Sequence, residues 1–130
     1  MKHDFIVDKR KIIVDTKMAD IKGINRDFKF ILDTGATTSV IDKSVANFLK
    51  LNLHKAETQQ LATIGGKINA NVIKLPKINL LGKDFINFKV DIVDLPFQIT
   101  LFADGLIGFD FLSKFSEIKI DFKKQIIEAL

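Results

Sequence analysis

Along most of the chain, hydrophobic and polar residues alternate with a period of two. Over residues 12–21, Ile13, Asp15, Lys17 and Ala19 fall on one side, and Val14, Thr16 and Met18 on the other. With its β-branched content, this run predicts a strand. Gly23 and Asn25 interrupt it, and residues 28–32 supply the next strand, so the pair reads as a hairpin with a loop of about four to six residues. Residues 4–9 are short and mixed, as in an edge strand. Residues 57–75 form two polar arms around Gly65-Gly66, and adjacent glycines between strands predict a tip with positive φ angles. The arms carry Gln59, Gln60, Thr63, Lys67, Asn69 and Asn71, so this hairpin is expected to project from the body and move. Pro76 restricts the second arm to an edge or a bend. Residues 77–81 and 84–93 read as two more strands around Gly82. In the second, Ile86, Phe88, Val90 and Ile92 are expected to face inward, against Asn87, Lys89 and Asp91. At the C-terminal end, Ile118, Ile120 and Phe122 alternate with Lys119 and Asp121, and a turn leads into residues 125–130 as a last hairpin.

Helical spacing is confined to two places. Asp42 is suited to cap a helix over residues 43–50, in which Val45, Phe48 and Leu49 form an apolar stripe. Residues 110–115 predict a helical turn, with Asp110 near the positive end of its dipole. Residues 95–97 read as the opening of a loop. About eight or nine strands with so little helix define an all-β chain, closed or sandwiched.

Composition narrows the picture. The 130 residues fit one domain spanning 1–130. There is no cysteine, which removes disulfides and thiolate metal sites. The net charge of +4 comes from scattered lysines with no like-charge run, so nucleic acid is not an expected partner. All aromatics are Phe, 12 of them, and they sit in alternating runs, which reads as core rather than as a base-stacking platform. The first residues lack a signal-peptide stretch, and no run approaches ~18 apolar residues, so no membrane span is expected and the expected location is cytoplasmic.

The candidate chemistry lies in residues 30–39, Phe-Ile-Leu-Asp-Thr-Gly-Ala-Thr-Thr-Ser, where an apolar run stops at an acid. A carboxylate directly after buried strand residues is costly unless it is hydrogen-bonded or paired. Asp33 is therefore the first catalytic candidate. Thr34 adds a hydroxyl that can both donate and accept, and Gly35 allows a tight turn and close approach. An ordinary turn is the competing reading for Asp33. A phosphorylated aspartate is a further alternative, but the Gly66-Lys67 pair lacks the preceding spacing of a phosphate loop. Asp104 and Asp110 bracket two glycines and read as a turn residue and a first-turn helix acid, with a second acid for Asp33 as the sharper alternative. His3 and His54 have no ligand-like neighbours and read as surface residues; no metal or other cofactor is expected.

Asp33-Thr34-Gly35-Ala36-Thr37-Thr38 after a strand, followed by a short helix, a glycine-tipped hairpin and then Gly105-Leu-Ile-Gly-Phe-Asp-Phe-Leu112, resembles the retropepsin-like aspartic proteases. Among these the chain is most similar to the single-domain bacterial aspartyl proteases, over roughly residues 10–130. Asp-Thr-Gly alone is a weak motif; the same tripeptide with Leu106-Ile107-Gly108 downstream is specific. The resemblance implies a closed acid-protease barrel and a homodimer with its site on the two-fold axis. Peptide bonds would be hydrolysed by water activated between two Asp33 carboxylates. It implies Asp33, Thr34 and Gly35 as catalytic residues. Ala36 would contact substrate, and Ile64, Gly65, Gly66 and Lys67 would form a flap that does so as well. Leu106, Ile107 and Gly108 would back the loop. The lack of any Tyr departs from the pepsin-like branch, which has a flap tyrosine. Bacterial relatives often carry a membrane anchor; none is expected here. A dimerising binding or regulatory module of the same fold, with weak catalysis, is the alternative.

Overall fold

The computed structural model describes residues 1–54, 56–63 and 66–130. The chain runs β1 (Lys2–Asp4), β2 (Ile6–Asp8), β3 (Lys11–Ala19), β4 (Asn25–Leu32), β5 (Val40–Asp42), α1 (Lys43–Phe48), β6 (Glu57–Thr63), β7 (Gly66–Leu80), β8 (Lys83–Val93), α2 (Phe97–Thr100), β9 (Gly105–Ile107), α3 (Phe109–Leu112), β10 (Ile118–Asp121) and β11 (Ile126–Ala129). It is an all-β fold with three short helices among the described residues. The main sheet has the order β2-β3-β4-β9-β5-β8-β7-β6, and an added β3–β7 pairing joins its two halves into a ring. A second sheet, β1-β11-β10, ties the N-terminal residues to the C-terminal hairpin.

The period-two reading holds for β3, where Val14, Thr16 and Met18 are buried and pair across to Phe30, Phe28 and Arg26 of β4. Elsewhere local chemistry shifts the pattern. β7 runs through Pro76 as one strand instead of breaking there. The reason lies in its neighbours: β6 pairs with β7 only as far as Val72, and β3 begins to pair at Ile78. Pro76 falls in the gap, where a missing N–H costs no ladder bond on that edge. On the other edge the ladder pairs Leu75 with Phe88 and Lys77 with Ile86 and skips Pro76. Asn87, with φ of +53°, changes which side chains of β8 face inward. Phe85 and Phe88 both pack against Phe111, while Ile86, expected inside, is 62% exposed. Leu81 and Gly82 both have positive φ, as a two-residue turn between β7 and β8 requires.

Residues 97–100, read as loop, form one helical turn. In α1 the buried residues are Val45 and Ala46, followed by Leu49 at the cap, whereas Phe48 points away and meets Phe28 edge-on. Phe48, Phe97, Phe109 and Phe122 are exposed, so the phenylalanines are not all core. His3 is half-buried rather than superficial. The core gathers Phe30 (β4), Ile41 (β5), Ile107 (β9), Phe111 (α3) and Ile127 (β11), each essentially inaccessible to solvent. Burying such side chains contributes about 1.5–3 kcal/mol apiece. The core thus joins β4, β5 and β9 of the main sheet to β11 of the second sheet and to α3. No helix among the described residues is long and apolar enough to cross a membrane.

Asp42 caps α1 as its sequence position suggests: its carboxylate accepts the Ser44 N–H (3.1 Å) and the Leu95 N–H (2.9 Å), and also the Ser44 hydroxyl. Burial alone would raise its pKa. The hydrogen bonds from Ser44, Leu95 and Lys43 outweigh that and hold it below its ordinary 3.8. A depressed carboxylate stabilises the fold above its unfolded pKa and loses that contribution as pH falls through the folded value. The stability advantage of the parent chain over Asp42→Asn, measured by urea unfolding, should therefore be full above about pH 5 and shrink as pH falls below about 4.

Candidate active site

Asp33 leaves β4 where that strand runs parallel to β9, with Leu32 level with Ile107. Its N–H donates to the Ile107 carbonyl (2.9 Å), extending the pairing by one residue. The Asp33 carbonyl then accepts the Ala36 N–H (3.2 Å), so residues 33–36 form a tight turn. Inside the turn the Gly35 N–H donates to Asp33 Oδ1 (3.0 Å). Oδ2 has no donor among the described residues. The Asp33 side chain is half-buried, Thr34 and Gly35 are exposed, and Ala36 is half-buried. A Cβ at position 35 would sit 3.4 Å from Asp33 Oδ1, so glycine here leaves the carboxylate uncovered.

The loop is held from behind by the chain after β9. Ala36 and Thr37 carbonyls accept the N–H groups of Phe109 (2.7 Å) and Asp110 (3.3 Å). Ser39, fully buried, donates its hydroxyl to Asp110 Oδ1 (2.6 Å) and its N–H to Oδ2 (3.0 Å). The same Ser39 oxygen accepts the Gly108 N–H (2.8 Å). Two crossings need glycine. A Cβ on Gly108 would come within 2.8 Å of both the Ala36 and Thr38 carbonyl oxygens. One on Gly105 would come within 2.4 Å of the Val40 carbonyl oxygen and 2.7 Å of the Phe30 ring. Contacts that short force the backbone to move.

The structure thus brings together Asp33, Thr34, Gly35, Ala36, Leu106, Ile107 and Gly108. Leu106 is half-buried and packs against Ile31 and Val40. Gly66 and Lys67 stand exposed at the start of β7. Ile64 and Gly65, expected at the hairpin tip, lie outside the described residues. Asp104 is a structural acid: its carboxylate accepts the Lys29 N–H (2.9 Å), and its carbonyl accepts the Asp42 N–H (2.9 Å).

Sequence reasoning missed the Ser39–Asp110 clamp. Asp110 does lie in the first turn of α3 as expected, but its carboxylate is spent on Ser39 and on the Phe111 N–H (2.8 Å). It also missed Asp91, expected on the polar side of β8 but only 2% exposed. Asp91 Oδ2 accepts the Thr38 hydroxyl (2.8 Å), and Oδ1 accepts the Gln59 side-chain amide. The available signal was an acid set within Val90-Asp-Ile-Val93, where apolar neighbours on both sides mark a strand covered on both faces.

A protein-family model described as aspartyl protease matches residues 18–111. The chain belongs to that family. Its fold is retropepsin-like: it is similar to the crystal structure of a retropepsin-like aspartic protease from Rickettsia conorii, at 22% identity and a TM-score of 0.69, covering 100% of this chain and 94% of that one. The resemblance read from the Asp33 and Leu106–Gly108 motifs is borne out. No curated protein matches the chain.

Removing the Ser39 hydroxyl would leave the buried Gly108 N–H without its acceptor and would take one of three donors from Asp110, which keeps the Ser39 and Phe111 N–H groups. Ser39→Ala should cost about 1–3 kcal/mol in urea unfolding, the penalty for a buried polar group left unpaired.

Proposed function

We propose that the protein is an aspartic endopeptidase whose active site forms between two copies of the chain, each supplying Asp33. The observation that carries this reading is the single Asp33-Thr34-Gly35 turn, fixed from behind by Ile107, Ser39 and Asp110 yet leaving its carboxylate accessible, in a chain of the aspartyl protease family. The sequence contains that tripeptide once. One chain therefore offers one carboxylate where the chemistry needs two.

Two such carboxylates brought together cannot both ionise and share one proton. The ionised Asp33 takes a proton from a bound water as the water oxygen attacks the carbonyl carbon of the peptide. The protonated Asp33 of the other copy hydrogen-bonds the carbonyl oxygen as negative charge develops there. Collapse of the tetrahedral intermediate breaks the C–N bond, and a proton passes to the departing amine, leaving a carboxylic acid and an amine. The Gly35 N–H holds Asp33 Oδ1 in place for this exchange. Thr34, exposed beside Asp33, would hydrogen-bond across the two-fold axis and lock the two loops. Gly35 and Ala36 would let backbone reach the substrate. The hairpin of β6 and β7, with Ile64, Gly65, Gly66 and Lys67 around its tip, would close over a bound peptide and exclude water. Leu106, Ile107 and Gly108 support the loop. We read residues 1–130 as one domain.

Asp33→Asn keeps the shape of the side chain and removes its proton chemistry. With a denatured protein substrate between about pH 4 and 7, the variant should lose at least about a hundredfold in kcat/KM, within the range of general acid–base catalysis. Its circular dichroism and sedimentation should match the parent. Undiminished cleavage by the variant would remove Asp33 from the mechanism. Absence of turnover by the parent, together with failure to bind a transition-state peptide analogue, would favour a binding module of the same fold.

A further inference from the structure

We propose that Asp91 is a positioning residue that couples the β6–β7 hairpin to the loop carrying Asp33. Its two carboxylate oxygens are divided between two elements. Oδ2 accepts the Thr38 hydroxyl (2.8 Å), five positions after Asp33 in the same loop, and Oδ1 accepts the Gln59 side-chain amide on the first arm of the hairpin. The backbone of Asp91 lies mid-sheet, paired with Val40 of β5 on one side and Val72 of β7 on the other. Its N–H also donates to the Ser39 carbonyl (3.2 Å). The Asp91 carboxylate thus sits where the exit of the Asp33 loop meets the base of the hairpin.

An acid is an expensive choice at this position. Asp91 is 2% exposed, its neighbours Val90, Ile92 and Val93 are buried and apolar, and both donors to its carboxylate are neutral side chains. A buried charge without a cation is costly, and an apolar residue would fill the same space at no such cost. What an apolar residue cannot do is accept two hydrogen bonds from two segments at once. The geometry of the hairpin fits the same purpose. β6 is the end strand of the sheet and pairs with β7 alone among the described residues. To reach β8, the Gln59 side chain must pass over β7. The residue opposite Gln59 is Ala70, small and 2% exposed, which leaves room for the amide to cross. Leu61, two residues on, packs against the buried cluster formed by Val40, Ala70 and Val93. This edge arm is thus fastened beyond its own hairpin partner.

The consequence is that displacement of the hairpin pulls on Thr38, and Thr38 lies in the segment whose carbonyl packs against Gly108 beneath the Asp33 turn. A hairpin that closes over substrate would then report its position to the catalytic loop. That functional consequence rests on the protease reading; the mechanical coupling does not.

Two conservative variants each cut one arm of the link: Gln59→Leu on the exposed arm and Thr38→Val at the loop. Circular dichroism checks that both fold. By amide hydrogen exchange, Gln59→Leu should speed exchange about tenfold in β6 and also in residues 38–40, and Thr38→Val should do the same in reverse, the factor expected from losing a hydrogen bond to a charged group. Faster exchange confined to the mutated element in both variants would overturn the coupling. In peptide cleavage, Gln59→Leu should lower kcat as well as raise KM, which simple loosening of a substrate cover would not do. Each variant should lose about tenfold in kcat/KM and the double variant no more than that, because the two residues act through one carboxylate. A double variant that loses about a hundredfold, the product of two independent effects, would also overturn it. If the parent chain cleaves nothing, the protease reading fails and the exchange experiment still decides the coupling.

Discussion

The hydrogen bond between the Ser39 hydroxyl and the Asp110 carboxylate is the contact on which the geometry of the Asp33 turn depends. Ser39 lies at the end of the loop and Asp110 in the turn of helix after β9. Their bond, with the Gly108 N–H on the same Ser39 oxygen, locks two chain segments that cross almost at van der Waals contact. The crossing admits no side chain at position 108, so the segments can only sit where they do if residue 108 is glycine. Below it, Phe111 is fully buried and stacks on Phe88 at 3.9 Å, so the core sets the position of the helical turn, the turn sets Ser39, and Ser39 sets the loop. Rigidity at Asp33 is inherited from the aromatic core through a chain of identifiable contacts.

On the proposed mechanism, a well-held loop would still be half a site. The turn orients Oδ1 of Asp33 through the Gly35 N–H and leaves the side chain half-exposed. Two clefts on the described surface are lined by other residues, one by His3, Lys77 and Asn79 and one by Ile24, Asn47 and Phe48. Sharing a proton between carboxylates requires a second one about 3 Å away. With that second carboxylate supplied by another copy of the chain, catalytic geometry and association are one event, and activity follows the concentration of the paired form. The hairpin would add a third element to that event through Asp91, whose carboxylate serves both the hairpin and the loop.

Much of this was legible from sequence, and the failures have physical causes. The strands β3, β4, β10 and β11, the cap at Asp42 and the motif at Asp33 follow from local pattern, because their partners are near in sequence or their turn chemistry is explicit. Phe48 fitted an apolar stripe but lies on the outer side of a helix too short to bury more than one face. Ile86 was misplaced because one residue with positive φ, Asn87, reverses the alternation that period-two reasoning assumes. Pro76 pointed to an edge or a bend, and it does lie on an open stretch of β7 edge, but that the strand continues through it is a property of the sheet, not of the strand. The Ser39–Asp110 and Thr38–Asp91 bonds span 71 and 53 positions, and no local rule reaches that far. Asp91 also illustrates a limit of polarity: a polar residue in a strand reads as solvent-facing until a buried donor is found for it.

The central claim, that Asp33 is one half of a shared site, is tested most directly by mixing. Parent chain is combined with an equal amount of Asp33→Asn chain, allowed to exchange, and assayed for peptide cleavage against the same quantity of parent alone. If the site is shared between copies, random pairing places about half of the parent chains in mixed dimers, and activity falls to about half. It should fall further as the variant is added in excess. Activity that stays constant at every ratio would mean that each chain carries a complete site, and would contradict the shared-site account.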